Sequence, residues 1–590
     1  MTEALQPRPS SIPELGVFST PALSLPIDAF LIVGVTAHRD LVPALQPDLE
    51  AAVRAFLLRM RSLHPQLSVA VMSGLAEGGD RLVAQCAIEL GMPLLAPLPL
   101  ALDDYLTDCS SAESADALRT LLQQAQVIEL PLAEGNDAAS VHTRGAARDR
   151  QYAQLGVYVS SHCQVLLALW DGKPSDAAGG TSDVLHYHLY GEMPGLGAAD
   201  AAPNLLADDD SDLAFHIFCP RDRAGGEVAE PLASRWMTRN ESFPGEGPLP
   251  ENYERLFNQL GEFNADAKLY AEEIASASRS LLPAPEEIRC SGAVLRIDAM
   301  YRRADWLALH FRTRVHHSML LLHVLAVLTG LLLMTYSEFM ARPAVLAALL
   351  GLFAVGVAVA WLGKRRSWHR RYLDYRVLAE GLRVQCYWTI AGVPSSHRVR
   401  FAYDSFLQKQ DVELGWIRHA MRAVGLGGGT PISDAGLRWV VANWVGDGGI
   451  LGQLGYFRRR TAEREVKYQH TERIGKVSLM LSLACAVFLL LFGGWLGPTT
   501  SKLFLVTAGM AALFAGVREA YSHKLADKEL IKQYRFMTRV FASASELLTR
   551  DTDAFKQRRV LEALGEAALE EHAEWILMHR ERPLEQGRLG

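Results

Sequence analysis

The chain has 590 residues, enough for several domains, and a modest net charge of −7 at pH 7. Its basic residues gather beside apolar runs instead of forming one stripe, which excludes a nucleic-acid-binding surface as the main function and leaves no nucleic-acid partner to expect. Its seven cysteines are scattered, with no pair at zinc-ligand or redox spacing, so a reduced setting and no metal site are expected.

Residues 1–27 are rich in Pro and Ser and read as an arm. They hold no basic stretch followed by an apolar core, so no signal peptide is expected there. Short apolar runs then alternate with helical patterns. Ala29–Val35 reads as a buried strand, followed by a helix through Leu49–Arg61. Leu67–Met72 is a second strand, followed by a helix over Gly78–Leu90. Leu94–Ala96, Gln126–Leu130, Val165–Trp170 and Phe215–Phe218 complete the set. The alternation predicts an α/β domain over residues 28–245, a Rossmann-like, doubly wound parallel sheet covered on both faces. Between Pro194 and Pro250 lies a polar insertion with Asp208, Asp209, Asp210 and Asp212. It lacks the ordered ligand spacing of a Ca²⁺ loop and reads as solvated.

Glu251–Leu282 is helix-like and opens a helical connector over 250–317. The run from Ser318 to Leu362 is the most apolar part of the first half. Its first limb carries His323 as the only ionisable residue in the apolar stretch. Its second, Ala344–Leu362, has 19 residues with no charge, about 28 Å of helix at 1.5 Å per residue. Two such limbs joined by a short loop predict a transmembrane hairpin (318–362). The pattern then recurs: a helical linker (363–455) broken at Gly425–Gly429, a basic helix (456–476), a second hairpin (477–517) and closing helices (518–590). Arg302, Arg303, Arg312 and Arg314 precede the first hairpin and Lys364, Arg365, Arg366, Arg370 and Arg371 follow it. Arg518, Lys524 and Lys528 follow the second. Positive flanks favour the cytoplasmic side, so an inner-membrane, multi-pass protein is expected, with both termini cytoplasmic and the two hairpins parallel. Ala347, Gly351, Ala354 and Ala358 form a small-residue stripe on the second span, as do Ala508, Ala512 and Ala515 on the fourth. Such stripes predict close helix packing.

Three glycine-bearing strand ends carry the chemistry. The first is Gly34-Val35-Thr36-Ala37-His38-Arg39. The second is Ser73-Gly74-Leu75-Ala76-Glu77-Gly78-Gly79-Asp80. The third is Asp171-Gly172-Lys173, followed by Gly179-Gly180-Thr181 and Asp183. Glycines let a backbone approach a ligand closely, and helix-start N–H groups favour phosphate. In a doubly wound sheet these ends share one edge, so they predict a nucleotide-type pocket. Glu77 and Asp80 are expected as caps or ligand contacts ahead of catalytic groups. No cofactor is expected.

These motifs resemble a known superfamily. SGLAEGGD (Ser73–Asp80) is similar to the SGxAxGxD signature of the DprA branch of the SLOG superfamily. GVTAHRDL (Gly34–Leu41) resembles the GxTGHR opening of another SLOG branch, with Ala37 where Gly is usual. AGGTSDV resembles the GGTxxE segment of the LOG branch, with Asp183 where the catalytic Glu stands. The hairpins resemble the SLATT family of SLOG-associated two-transmembrane effectors, through Tyr372-x2-Tyr375-Arg376-x2-Ala379-Glu380, Trp439-x4-Trp444 and Tyr456. The resemblance implies a nucleotide-sensing domain that controls a pore-forming or membrane-disrupting module in bacterial conflict, acting as a homo-oligomer in the bilayer. A LOG-type nucleotide N-glycosidase held at the membrane, a melastatin-TRP-like channel and a plain membrane scaffold are the alternatives. The Asp183 departure weakens the hydrolase reading, and four spans without a pore-loop pattern weaken the channel reading.

Overall fold

The computed structural model describes residues 28–133, 135–174, 179–194, 212–282, 288, 290–393, 406–407, 412–426, 433–446 and 452–580. The expected arm at 1–27, Asp208–Asp210 of the acidic insertion, most of the Gly425–Gly429 break and the last ten residues lie outside them.

The first half is an α/β domain built on one sheet. Its strands are β1 (Leu31–Ala37), β2 (Val69–Met72), β3 (Leu94–Leu98), β4 (Ala125–Glu129), β5 (Val165–Trp170), β6 (Leu213–Phe218), β7 (Ser234–Met237) and β8 (Ser242–Pro244). They lie in the order β4-β3-β2-β1-β5-β6-β7-β8. The first six are parallel, with Leu31 opposite Val69 and Val33 opposite Val165. β1, β2, β3 and β5 are apolar and buried along almost their whole length, because helices cover both faces of the sheet. The helices of this half are α1 (Gln46–Leu63), α2 (Gly79–Glu89), α3 (Leu102–Leu106), α4 (Ala112–Leu122), α5 (Ala138–His142), α6 (Ala146–His162) and α7 (Thr181–Tyr190).

β7 and β8 are antiparallel additions that the sequence reading does not anticipate. Their runs, SRWM and SFP, are short and only partly buried. One side chain fixes them: Trp236 is fully buried, its ring 4.6 Å from that of Phe215 and 6.0 Å from that of Phe56.

The second half is helical: α8 (Glu251–Leu269), α9 (Ala271–Ala277), α10 (Gly292–Glu338), α11 (Pro343–Arg365), α12 (Trp368–Ala391), α13 (Gly415–Val424), α14 (Asp434–Val440), α15 (Gln453–Phe492), α16 (Pro498–Lys524), α17 (Asp527–Arg550) and α18 (Ala554–Arg580). The helix expected over Glu251–Leu282 is interrupted at Tyr270, between α8 and α9. α10, α11, α15 and α16 each carry a window long and apolar enough to cross a membrane, and almost nothing in those windows is buried within the chain. Leu350, Phe353, Leu490 and Leu491 point outward, a costly arrangement in water and the normal one in lipid. The boundaries expected at 317/318 and 476/477 fall inside continuous helices: α10 runs 47 residues and α15 runs 40. At 1.5 Å per residue α10 is about 70 Å long, more than twice a bilayer core. Each therefore serves as span and supporting helix at once.

α10 packs against α16 in opposite directions. The ring of His323 meets that of Tyr521 edge-on at 5.1 Å, Gly330 faces Leu513, Gly509 faces Met334, and Lys502 Nζ donates to the Glu338 carbonyl at 2.6 Å. His323 also bonds through Nδ1 to the Met319 carbonyl of its own helix, at 2.7 Å. The small-residue expectation is met at Ala508 alone. On α16 Ala508 is buried, together with Ala511 outside the expected stripe, while Ala512 is exposed and Ala515 half-buried; Ala347, Gly351, Ala354 and Ala358 all lie on the open surface of α11, and a Cβ on Gly351 would meet nothing within 4 Å. Within one chain that stripe packs against no other helix.

α8 joins the two halves. Its Asn264 side chain accepts from the Ala29 N–H at 3.0 Å and donates to the Ala29 and Gln66 carbonyls, beneath β1 and β2. Two residues to either side, Glu262 pairs with Arg370 and Arg371, and Asp266 pairs with Arg371 at 2.9 Å and accepts from the Tyr375 hydroxyl at 2.6 Å. Arg370 and Arg371, which the sequence pattern assigns to the membrane edge, are thus spent on carboxylates of the adjoining helix.

Candidate functional site

A cavity of about 650 Å³ lies above the carboxyl ends of β1 and β5, where the strand order reverses, and reaches the loop after β2. Open parallel sheets form ligand crevices at such a point. Three helices begin at its rim: α2, α6 and α7, whose first turns contribute Asp80, Arg148 with Asp149, and Thr181 with Ser182. Helix starts offer unpaired N–H groups and the positive end of the dipole, so the rim suits an anion.

The loops are held by contacts with one another. Gly79 N–H donates to the His38 carbonyl at 2.9 Å, tying the β2 loop to the β1 loop. Gly78 has φ +83°, and a Cβ there would stand 2.2 Å from the Arg39 carbonyl oxygen. Tyr105 Oη donates to the Gly74 carbonyl at 2.7 Å. His38 Nε2 accepts from the Asp171 N–H at 3.0 Å, joining β1 to β5. Burial lowers the His38 pKa against the opposing pull of Asp171, which keeps the ring neutral and suited to that acceptor role.

Asp80 is the most perturbed acid of the site. Burial pushes its carboxyl up to about 7, against the backbone N–H of Ala76, the charge of Arg39 and the Ser73 hydroxyl. It is therefore poised near neutrality, on the boundary between proton donor and anion. Arg39 lies with its guanidinium 5.6 Å from the centre of the Tyr152 ring.

The expected residues divide. Thr36, His38, Arg39, Gly74, Asp80, Lys173, Gly179, Gly180 and Thr181 line the cavity. Gly34, Ser73, Glu77, Gly78, Gly79, Asp171, Gly172 and Asp183 stand behind it. Gly34 makes room for Cys163 and Val159, and Gly172 holds a φ of +82° that favours glycine. Ser73 Oγ accepts from the Leu75 N–H at 3.1 Å. Glu77 turns away to accept from Ser110 N–H and Oγ, both at 2.8 Å, and from Ser114. Asp183 accepts from the Gly179 N–H at 3.0 Å, so it shapes the glycine turn. Lys173 lines the cavity, yet its Nζ is engaged by the Gly225 and Glu227 carbonyls at 2.6 and 2.8 Å.

The sequence reading misses the far wall, which comes from α6 and the loop before it. Arg148 is nearly fully buried, donates to Asp108 Oδ2 from Nη2 at 2.8 Å, and bonds the Val141 and Asp104 carbonyls. Tyr152 and Arg144 complete that side, and Arg221, paired with Asp40 at 2.8 Å, lines the cavity beside the β1 loop. The available signal was a helix whose arginines and glutamines fall among apolar positions without a polar face of their own. Among the described residues no group of three or more His, Cys, Asp or Glu side chains is placed to hold a metal ion.

Comparison with family models, with curated proteins and with solved structures finds no match. The class that fold and site define is an α/β domain with an anion-suited cavity, packed through α8 and α13 against a region with four helices able to cross a membrane.

Proposed function

We propose that this protein is a ligand-gated membrane effector. A nucleotide-derived signal binds the cavity at the sheet edge, and an oligomer of the membrane region then opens or disturbs the inner membrane, as the SLOG and SLATT resemblances imply for bacterial conflict. The observation that carries this reading is the cavity at the strand-order reversal, rimmed by three helix starts. It supports a Rossmann-like, doubly wound sheet and a phosphate-bearing ligand. The path by way of Asn264, Glu262, Asp266 and Arg371 supports coupling, since one helix touches both the strand starts and α12. The antiparallel packing of α10 on α16 supports two parallel hairpins with both termini on one side, the side that the positive flanks favour as cytoplasmic. The open stripe on α11 supports contact with a second copy. Asp183 on its own glycine turn, out of the cavity lining, favours a sensor over a hydrolase.

The test uses full-length protein in detergent. Small molecules released on denaturation are identified by mass spectrometry and returned to proteoliposomes loaded with carboxyfluorescein. A nucleotide-derived species is expected from the wild type, together with dye leakage on its return. Ser182→Trp, which fills the cavity from the first turn of α7, is expected to retain at least about tenfold less, equivalent to about 1.4 kcal/mol, and not to leak. Wild-type protein that releases no such species, or leaks equally without it, overturns the reading. Appearance of a free base moves the hydrolase ahead of it.

A further inference from the structure

A second cavity, of about 710 Å³, shares no lining residue with the first. It lies among α10, α12, α15 and α17, which carry or directly continue the helices able to cross a membrane, and α18. Seven of its lining residues are arginines and three are acids.

The charges are layered. At the floor, Glu380 is enclosed by Arg376, by Arg383 at 2.5 Å and by His572 at 3.1 Å, and Arg383 also donates to Tyr301 Oη at 2.9 Å. Their charges compensate one another. Arg460 and Arg464 are paired with Glu463 at 2.9 Å and Asp527 at 3.2 Å. Arg279, Arg312 and Arg459 line the cavity with exposed side chains, and no carboxylate pairs with them among the described residues. Their positive charge comes from three separate segments and converges on one space. The walls between floor and mouth are aromatic: Tyr372, Tyr456, Tyr534 and Trp575 are half-buried and face the cavity. Tyr387 is fully buried and lines the same space, and among the described residues its hydroxyl has no hydrogen-bond partner. A buried hydroxyl left unsatisfied costs free energy that a bound acceptor would recover.

We infer that this cavity is a second ligand site, one that takes a soluble phosphorylated compound with a flat ring, of the nucleotide class. The phosphate meets the unpaired guanidiniums at the mouth, which match it in charge and in planar donor geometry. The ring enters between the tyrosines and Trp575, and an acceptor on it reaches Tyr387 Oη. Four membrane-linked helices would close on one ligand, so its occupancy bears on the spans whatever the sheet cavity binds. The inference does not depend on the function proposed for that cavity.

The experiment photolyses 8-azido-ATP on the full-length protein in neutral detergent and maps the labelled peptides. Label is expected on peptides containing Tyr372, Tyr456 or Trp575, suppressed by excess ATP. Arg312→Glu with Arg459→Glu is expected to reduce this label at least tenfold, and Arg312→Lys with Arg459→Lys to keep most of it. Label on peptides of the sheet domain reports the first cavity and is expected to be unmoved by either pair. Absence of label on the helical peptides of the wild type overturns the inference. So does equal labelling of the folded glutamate variant. Loss of label in phosphatidylglycerol nanodiscs but not in phosphatidylcholine ones would assign the site to a lipid headgroup and overturn the soluble-ligand reading. If the glutamate pair fails to fold, the wild-type peptide map and the lysine pair decide.

Discussion

Glu380→Ala is expected to destabilise the helical half by about 3–5 kcal/mol, the cost of leaving a buried charge uncompensated. Burial alone would raise the Glu380 pKa, but Arg376, Arg383 and His572 together hold its carboxyl well below the usual range. The side chain is almost completely enclosed and joins α12 to α18 through His572. Its removal leaves two enclosed guanidiniums facing each other. Glu380→Gln is expected to lose less, because its amide oxygen still accepts from one arginine. Denaturant unfolding followed by tryptophan fluorescence, with Trp388 and Trp444 in the same core, checks both. A loss under about 1 kcal/mol for the alanine variant would place the network among pairs that merely break even.

His572 gives the same network a pH signature. Against the lowering effect of burial, Glu571 and Glu380 push its pKa up to about 9. The folded state thus binds the proton more tightly than the unfolded chain, where an ordinary histidine titrates near 6.5. The stabilisation, on the order of 3 kcal/mol, is complete below about pH 6.5 and is lost as pH rises through about 9. Unfolding midpoints measured from pH 6 to 9.5 are expected to fall across that window. His572→Gln is expected to flatten the curve.

Gly78→Val is the second large effect, and its reason differs from the one the motif suggests. The sequence places Gly78 where a ligand's phosphate would approach the backbone. In the structure its missing Cβ makes room for the Arg39 carbonyl, and its φ of +83° with ψ of −125° is closed to side chains. The valine variant is expected to lose about 3 kcal/mol or more of sheet-domain stability, from backbone strain and overpacking together. Gly78→Ala is expected to lose most of that already. Thermal unfolding measures both. Unchanged stability together with lost binding would return Gly78 to the ligand.

Legibility in the sequence followed physical simplicity. β1, β2 and β5 were readable because a strand buried on both faces must be apolar throughout, and the spans because lipid demands the same of a helix. The edge strands β7 and β8 were not, since one fully buried residue, Trp236, carries them. The glycine loops were readable as loops, but not which glycine faces a ligand: Gly74, Gly179 and Gly180 line the cavity while Gly78 and Gly79 serve loop packing. α6 was opaque. It buries Arg148, Gln151, Gln154 and His162 beside its apolar residues, so its hydrophobic pattern blurs. The second cavity was invisible for a related reason. Its arginines look like membrane-edge charges in one dimension, and only the meeting of five helices turns some of them inward.

Two of the four helices able to cross a membrane, α11 and α16, each pass into the next helix through one residue in the left-handed region: Ser367 with φ 48° between α11 and α12, and Ala526 with φ 50° between α16 and α17. Neither is glycine, and each forgoes about 1 kcal/mol to hold that angle. Hydrogen bonds clamp the joint on both sides, Ser367 N–H to the Lys364 carbonyl and Arg371 N–H to the Ser367 carbonyl, with the same pattern at Ala526. Two rods meeting at a clamped elbow behave as a crank. A turn of α12 or α17 about its own axis would then pass to the adjoining apolar helix as a sideways swing, with little slack at the joint to absorb it. The elbow recurs at the same place after α11 and after α16, so the two joints would hand on such a turn in the same way.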